Sequence, residues 1–181
     1  MEDRIPKLIA GIDPGISGAI ALIIAPSQSD LDFQLFDIID MPLQENGKTG
    51  RKSINLESLA QTLSMVSRSI AFAALEHVHS MPGQGVASTF TFGRALGHLE
   101  GLIAASFIPF FPVSAQIWKR ALRLGPDKGE AIALAIKLFP QETRRFSRKK
   151  DHNRAEATLL AVYGALHLSE TFSALKSALP E

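Results

Sequence analysis

The chain has 181 residues, of which 46% are apolar and 20% are charged, and these values suit one globular domain with its own core. It has no cysteine, which excludes disulfides and thiolate metal sites, and no apolar run reaches the length of a membrane span. The net charge of +1 is unevenly divided, because residues Gln116 to Arg154 include eleven basic and four acidic residues, an asymmetry typical of a polyanion-binding face or of solvated basic helices.

Three strands are predicted in the first quarter of the chain. The first, over residues 7–13, starts so early that we expect no targeting peptide before it, and hence a cytoplasmic protein. A Pro14–Gly15 turn separates it from a second apolar strand over residues 18–25, and a third strand follows over residues 32–42. Such short connections favour antiparallel neighbours. The polar segment over residues 44–52 is predicted to be a loop.

Strands and helices alternate in the rest of the chain. Apolar residues recur at helical spacing after Asn55, which is a typical N-cap. Buried strands are predicted over residues 71–78 and 108–113, on either side of a helix over residues 87–106. Further helices are predicted after Ser114, from Asp127 to Phe139 and from Arg154 to His167. This order predicts one α/β domain over residues 1–181, in which a mixed five-stranded sheet has helices on both faces.

Four carboxylates are candidate functional groups. Asp13 and Glu76 stand at the carboxyl ends of predicted buried strands, where an ionised carboxylate is costly unless it is paired or binds a metal. Each of them alone is also explained by a turn cap or an ion pair. Asp151 and Glu156 follow near the end of the chain, beside a basic run. Four acids beside a basic surface suit the binding of divalent cations and of a phosphodiester.

The spacing between Asp151 and Glu156 has two interpretations. Inside one helix their side chains would diverge by about 140° and could not share a metal ion. If Asn153 is the N-cap, the helix begins at Arg154, and Asp151 lies outside it and is free to turn back toward Glu156. The alternative is a capping box, in which Glu156 only accepts a hydrogen bond from the Asn153 N–H.

The oxygen-rich set of candidate ligands predicts the kind of metal. Carboxylates without any cysteine suit Mg²⁺ or Mn²⁺ rather than Zn²⁺. Two such ions close together activate a water and stabilise the leaving oxygen of an in-line displacement. The residues therefore predict a two-metal site that hydrolyses a phosphodiester.

Five stretches of the chain, in this order, resemble RuvC-like Holliday junction resolvases. Among the members of that family, they are most similar to the branch that contains the chloroplast resolvases. The resemblance covers nearly the whole chain. The stretches are GIDPGISGAIAL, ALEHVHSMPGQG, FPVSAQIWKRAL, KLFP and RKKDHNRAEATLLAVYG.

This resemblance implies an RNase H-like fold, a homodimer and Mg²⁺-dependent paired nicking of four-way DNA junctions, with Mn²⁺ able to replace Mg²⁺. It also implies association with the nucleoid in a bacterial host, and a branch-migration motor as a candidate partner. By motif matching, the metal-binding acids would be Asp13, Glu76, Asp151 and Glu156. The common bacterial pattern has an acid or a histidine where this chain has Asn153, so Asp151, His152 and Asn153 all remain candidates for the fourth ligand.

Several other residues are candidates for contacts with DNA. His152 is predicted to contact the scissile phosphate or to shuttle a proton. Gln84 is the candidate base contact that the resemblance suggests. The predicted phosphate-binding residues are Lys119, Lys128, Arg148, Lys149, Lys150 and Arg154.

Three glycines recur at every fourth position of the helix over residues 87–106. Gly93, Gly97 and Gly101 would each cost a helix about 1 kcal/mol relative to alanine. They therefore indicate a close neighbour, which is either the underlying sheet or a second subunit. Phe90, Leu96 and Ile103 are the apolar residues expected around them.

Two other functions share parts of this pattern. Another RNase H-like metal nuclease, acting on RNA or on other branched DNA, would need the same acids. A non-catalytic junction-binding protein would not need them, so their presence favours an enzyme. The ATPase fold of sugar kinases also opens with a similar glycine turn, but it needs two such lobes, and this chain has one.

Overall fold

The computed structural model describes residues 7–26, 32–46, 51–77 and 85–170. Gln84, the predicted base contact, lies outside these residues. The strands are β1 (Leu8–Asp13), β2 (Ala19–Ile24), β3 (Gln34–Asp40), β4 (Leu43–Asn46), β5 (Arg51–Ile54), β6 (Ile70–His77) and β7 (Phe110–Ser114). The helices are α1 (Leu56–Val66), α2 (Val86–Ala105), α3 (Ala115–Ala121), α4 (Lys128–Leu138) and α5 (His152–His167).

Five of the strands form one mixed sheet in the order β3-β2-β1-β6-β7. The first three strands are antiparallel neighbours, as their short connections predict, whereas β6 and β7 run parallel to β1 and to each other. Within this sheet Ile12 pairs with Leu75, so the next residues along the two strands, Asp13 and Glu76, emerge at the same edge. The predicted α/β class with a mixed five-stranded sheet is confirmed.

Helices pack on both faces of this sheet. On one face, α1 and α2 contribute buried leucines and isoleucines such as Leu59, Leu63 and Ile103. On the other face, α4 and α5 pack over Phe72 and Trp118. None of the described helices is long and apolar enough to span a bilayer.

The predicted N-cap at Asn55 is confirmed by its hydrogen bond, and Asp127 caps the helix that is predicted to begin there. The Asn55 side chain accepts from the Ser58 N–H at 3.0 Å, and the Asp127 side chain accepts from the Gly129 N–H at 2.8 Å. Ser114 also precedes a helix, but its side chain makes no capping hydrogen bond. These caps depend on neighbours within three residues, which is why the sequence alone predicts them.

The predicted loop over residues 44–52 is wrong at both of its described ends, where β4 and β5 form a separate antiparallel hairpin. Leu43 pairs with Ile54, and Ile54 is buried against the main core. The Asn55 N–H then donates to the Pro42 carbonyl at 2.8 Å and closes the base of the hairpin. Only Leu43 and Ile54 are apolar in these two strands, so the sequence lacks the apolar alternation that would mark a strand.

Close approach between β1 and α5 brings two of the carboxylates together. A Cβ atom on Gly11 would lie 2.1 Å from the Ala157 carbonyl oxygen and 2.3 Å from the Ala161 nitrogen. The strand and helix backbones can therefore touch only because residue 11 is glycine. Asp13 is two residues along β1 from this contact, and Glu156 is one residue before Ala157 on α5.

The three glycines of α2 do not pack against the sheet. A Cβ atom added to Gly93, Gly97 or Gly101 would meet none of the described residues within 4 Å, and all three glycines are exposed. The alternative in which they face their own sheet is therefore wrong. Ile103 belongs to the buried core and Leu96 packs against it, because the helix turns these two positions toward the sheet.

Candidate active site

Three of the four predicted carboxylates converge at the carboxyl end of β1 and β6. Asp13 comes from β1, Glu76 from β6 and Glu156 from α5. Repulsion from Glu76 and Glu156 raises the pKa of Asp13, and repulsion from Glu156 also raises the pKa of Glu76. A cavity of about 180 Å³ opens beside them and is lined by Asp13, Lys119, Leu124, Gly125, Pro126, Asp127, Lys128, Ala131, His152, Asn153 and Glu156.

Asp13 has the most perturbed carboxyl group of this cluster. Burial, followed by repulsion from Glu76 and Glu156, raises its pKa to about 8, although Lys119 and Lys128 oppose the rise. Removing a carboxylate from water disfavours its charged form, and neighbouring negative charges add to that effect. A cation in the cavity would therefore be needed for Asp13 to be ionised at neutral pH.

Glu76 is held by a buried residue of α3 that is distant from it in the sequence. The buried Trp118 indole N–H donates to Glu76 Oε1 at 3.0 Å. Burial raises the pKa of Glu76, and this hydrogen bond lowers it. The available signal was that a tryptophan buried in a core needs an acceptor for its N–H, but the sequence does not reveal which acceptor.

Glu156 pairs with a lysine rather than with the start of its own helix. The Lys119 ammonium donates to Glu156 Oε1 at 2.8 Å. Because α5 begins at His152, Asn153 lies inside the helix, and the prediction that Asn153 is its N-cap is wrong. The Asn153 side chain instead donates to the Ser17 carbonyl at 2.7 Å and ties α5 to the turn after β1.

Asp151 is not brought to the other three acids. Its carboxylate accepts from the Arg148 backbone N–H at 2.9 Å and from the Arg148 guanidinium at 2.8 Å, and these contacts lower its pKa. Asp151 is engaged by Arg148 and Glu156 by Lys119, so the two carboxylates have different partners. The prediction of Asp151 as a metal ligand is therefore not supported by its position.

His152 lines the cavity that Asp151 does not reach. Its Nε2 lies 3.0 Å from the Lys128 Nζ, and its Nδ1 lies 3.2 Å from the Lys149 carbonyl oxygen. An ammonium group only donates hydrogen bonds and a carbonyl oxygen only accepts them. The two contacts together therefore assign the proton to Nδ1, with Nε2 accepting from Lys128 toward the cavity.

The predicted phosphate-binding residues divide into three pairs. Lys119 and Lys128 line the cavity. Arg148 is engaged by Asp151 and Arg154 by Asp40, so both guanidinium groups also have structural partners. Lys149 and Lys150 are exposed on the short 3₁₀ turn before α5.

The acidic side chains of the site are of the type that binds divalent cations, but they are not arranged as a preformed metal site. Among the described residues, no three acidic or histidine side chains are gathered closely enough to form a preassembled metal site. Lys119 supplies the positive charge next to Glu156, and Trp118 holds Glu76. The hard oxygen donors and the raised pKa of Asp13 nevertheless fit a site for Mg²⁺, which takes carboxylate oxygens.

Comparison with solved structures identifies the fold. No protein-family description matches the chain, and no curated protein is similar to it in sequence. The structure is similar to RuvC of Thermus thermophilus in complex with a Holliday junction substrate, with a TM-score of 0.65 and 19% identity over 92% of this chain and 97% of that one. A second T. thermophilus RuvC structure matches with a TM-score of 0.61 and 18% identity over 88% and 95% of the two chains. The chain therefore has the RNase H-like fold of the RuvC Holliday junction resolvases.

Proposed function

We propose that this protein is a Holliday junction resolvase, a metal-dependent endonuclease that makes paired nicks in four-way DNA junctions. The observation that carries this proposal is the convergence of Asp13, Glu76 and Glu156 beside one cavity. Asp13, Glu156 and two lysines line this cavity. Such a site places acidic groups for cations beside basic groups for a phosphate. The shared fold with a RuvC bound to a Holliday junction substrate supports the choice of DNA junctions.

Mg²⁺ is the proposed metal, and Mn²⁺ is expected to replace it. Asp13, Glu76 and Glu156 would hold the ions. His152 lines the cavity and would complete the set through its Nε2 once Lys128 releases that atom. When bound, such ions activate a water and stabilise the leaving oxygen of the cleaved phosphodiester.

The remaining cavity residues orient these groups and receive the phosphate. Trp118 fixes one oxygen of Glu76 by its hydrogen bond, which leaves the second oxygen for a cation. Lys119 forms an ion pair with Glu156. It is placed to contact a substrate phosphate once a bound cation neutralises Glu156 instead. Lys128 provides a second positive charge in the cavity lining, next to His152.

A homodimer is the proposed assembly, because paired nicks need two such sites. A two-fold dimer matches the symmetry of a four-way junction. The candidate interface is an exposed stripe on α2, since apolar and small residues there meet no other part of the described chain. Val86 and Phe90 are exposed by 86% and 68%, and the three glycines Gly93, Gly97 and Gly101 continue the same side of the helix.

Cleavage of a substrate panel tests this function. Immobile and mobile four-way junctions, a flap, a duplex and an RNA–DNA hybrid would be incubated with the protein, with and without Mg²⁺. We expect symmetric nicks in the junctions only when Mg²⁺ is present. Preferential cleavage of the hybrid or the flap would instead favour another nuclease of the same fold, and junction binding without any cleavage would favour a non-catalytic protein.

A Glu76→Gln variant is the matched control for the panel. The amide can still accept the Trp118 hydrogen bond, but it removes a charge that would bind a cation. We expect this variant to bind junctions and not to cleave them. Retention of near wild-type cleavage in Mg²⁺ would contradict the proposed metal site.

A further inference from the structure

A second, larger groove lies next to the candidate active site. It encloses about 930 Å³ between the β4–β5 hairpin and α2. The turn after β1 forms one end of it. Its lining residues are Gly15, Ile16, Gln44, Lys52, Ser53, Ile54, Leu56, Ala87, Thr91, Phe92, Arg94, Ala95 and His98.

This groove lies within a short distance of Asp13 along the chain. Asp13 lines the smaller cavity, and Gly15 and Ile16 line the groove. Two residues of chain span at most about 7 Å, so a polymer whose reacting group lies at Asp13 would reach the groove within one or two of its units. Asn153 fixes the turn between the two spaces by its hydrogen bond to Ser17.

The charges of the groove select a polyanion. Lys52 stands on β5, and Arg94 stands on α2, so positive charges face each other across the groove. Both side chains are exposed. Among the described residues that line the groove, none is acidic. Basic walls of this kind follow the phosphates of a nucleic acid strand.

The apolar part of the groove favours an unpaired strand over a duplex. Ile16 is 45% exposed, and Phe92 is half-buried in the lining. Apolar and aromatic side chains contact the faces of bases, and these faces are available only in unpaired nucleotides. A duplex would present phosphates and groove edges and would leave these side chains in water.

We propose that this groove binds the unpaired nucleotides of a branched DNA strand that lead away from the phosphate cleaved at Asp13. The phosphates would lie against Lys52 and Arg94, and the bases against Ile16 and Phe92. This inference rests on the proposed function, since it assigns a binding place to the nucleotides of the DNA substrate that extend beyond the candidate active site. It also assigns a role to the β4–β5 hairpin, which forms one wall.

The test removes the positive charges without touching the acidic cluster. Binding would be measured without divalent metal, by fluorescence anisotropy, on a four-way junction, a duplex with a single-stranded tail and a plain duplex, over a range of salt concentrations. Each phosphate contact on a single strand contributes about 0.7 to the slope of log K against log salt. For Lys52→Ala with Arg94→Ala we expect a slope shallower by about 1.4 on the tailed duplex, about tenfold weaker binding to it, and little change on the plain duplex.

A matched control removes two other exposed basic residues. Arg68 lies at the opposite end of β6 from Glu76, and Lys137 lies at the end of α4; neither lines the groove or the cavity. Arg68→Ala with Lys137→Ala changes the net charge equally and should leave the tailed-duplex slope within about 0.3 of the wild type.

Base contact is tested separately with 2-aminopurine in the single-stranded tail. We expect its fluorescence to change when the wild type binds, and the change to be reduced by at least half in Ile16→Ser. Equal loss of affinity for plain and tailed duplexes would overturn the preference for unpaired nucleotides. If the slope of Lys52→Ala with Arg94→Ala equals that of the wild type while the wild type cleaves junctions, the groove is overturned and the proposed function stands. A wild type that neither binds nor cleaves junctions would overturn both.

Discussion

Replacing Asp13 by asparagine should stabilise the metal-free protein while it abolishes cleavage. In the wild type, burial and the repulsion by Glu76 and Glu156 raise the pKa of Asp13 to about 8. The folded state therefore keeps a proton that the unfolded state releases. Stability is fully present below the ordinary pKa of 3.8 and is lost as the pH rises toward about 8.

The size of this effect follows from the pKa difference. Each unit of pKa difference corresponds to about 1.4 kcal/mol. Between the ordinary pKa of 3.8 and pH 7 there are about three units, so the cost at pH 7 is on the order of 4 kcal/mol. Asparagine is neutral in both states and avoids this cost. For a chain of this size, such a gain raises the Tm by about 10 °C.

Urea denaturation at pH 5, 7 and 8 in the presence of a chelator measures the effect. We expect the free energy of unfolding of the wild type to fall with rising pH and that of Asp13→Asn to change little. Mg²⁺ should restore the stability of the wild type at pH 8 and have little effect on the variant, because a bound cation favours the ionised carboxylate. Equal stability of the two proteins at pH 8 without metal would refute the reasoning.

Asp151→Asn is the matched comparison, because it makes the same chemical change with the opposite expected sign. The pKa of Asp151 is lowered, chiefly by its hydrogen bond with the Arg148 side chain, so its charged form is stabilised by folding. The variant should be destabilised by about 1–3 kcal/mol at pH 7, with cleavage retained. If Asp151→Asn were as inactive as Asp13→Asn, then Asp151 would have to move toward the site during the reaction.

Three further substitutions test the other contacts. Glu156→Gln should give a folded protein that binds junctions without cleaving them, and an active variant would show that its pairing with Lys119 is only structural. Trp118→Phe removes the hydrogen bond that lowers the pKa of Glu76, so the pH profile of cleavage should shift to higher pH; lower stability with an unshifted profile would indicate packing alone. Gly97→Leu adds bulk where nothing in the described chain lies within 4 Å, so it should fold, and light scattering should show monomers that nick one strand; a dimer that still resolves junctions would remove this stripe from the interface.

Local patterns in the sequence determined most of the fold. The five sheet strands, the caps at Asn55 and Asp127 and the alternation of strands with helices all depend on residues close together in the chain. The positions of Asp13 and Glu76 at strand ends follow from the same patterns, because a costly charge after an apolar run is visible in the sequence. The polar β4–β5 hairpin was missed because its strands lack apolar alternation.

The partners of the charged groups were decided by the tertiary structure. Trp118 is 42 residues from Glu76, and Lys119 is 37 residues from Glu156. The motif pattern grouped Asp151 with the metal-binding acids, but the start of α5 at His152 turned it toward Arg148. Exposure of the α2 glycines likewise depends on how the helix is rotated against the sheet. Sequence patterns indicate which charged groups are costly to bury. The tertiary structure determines which neighbouring side chain offsets that cost.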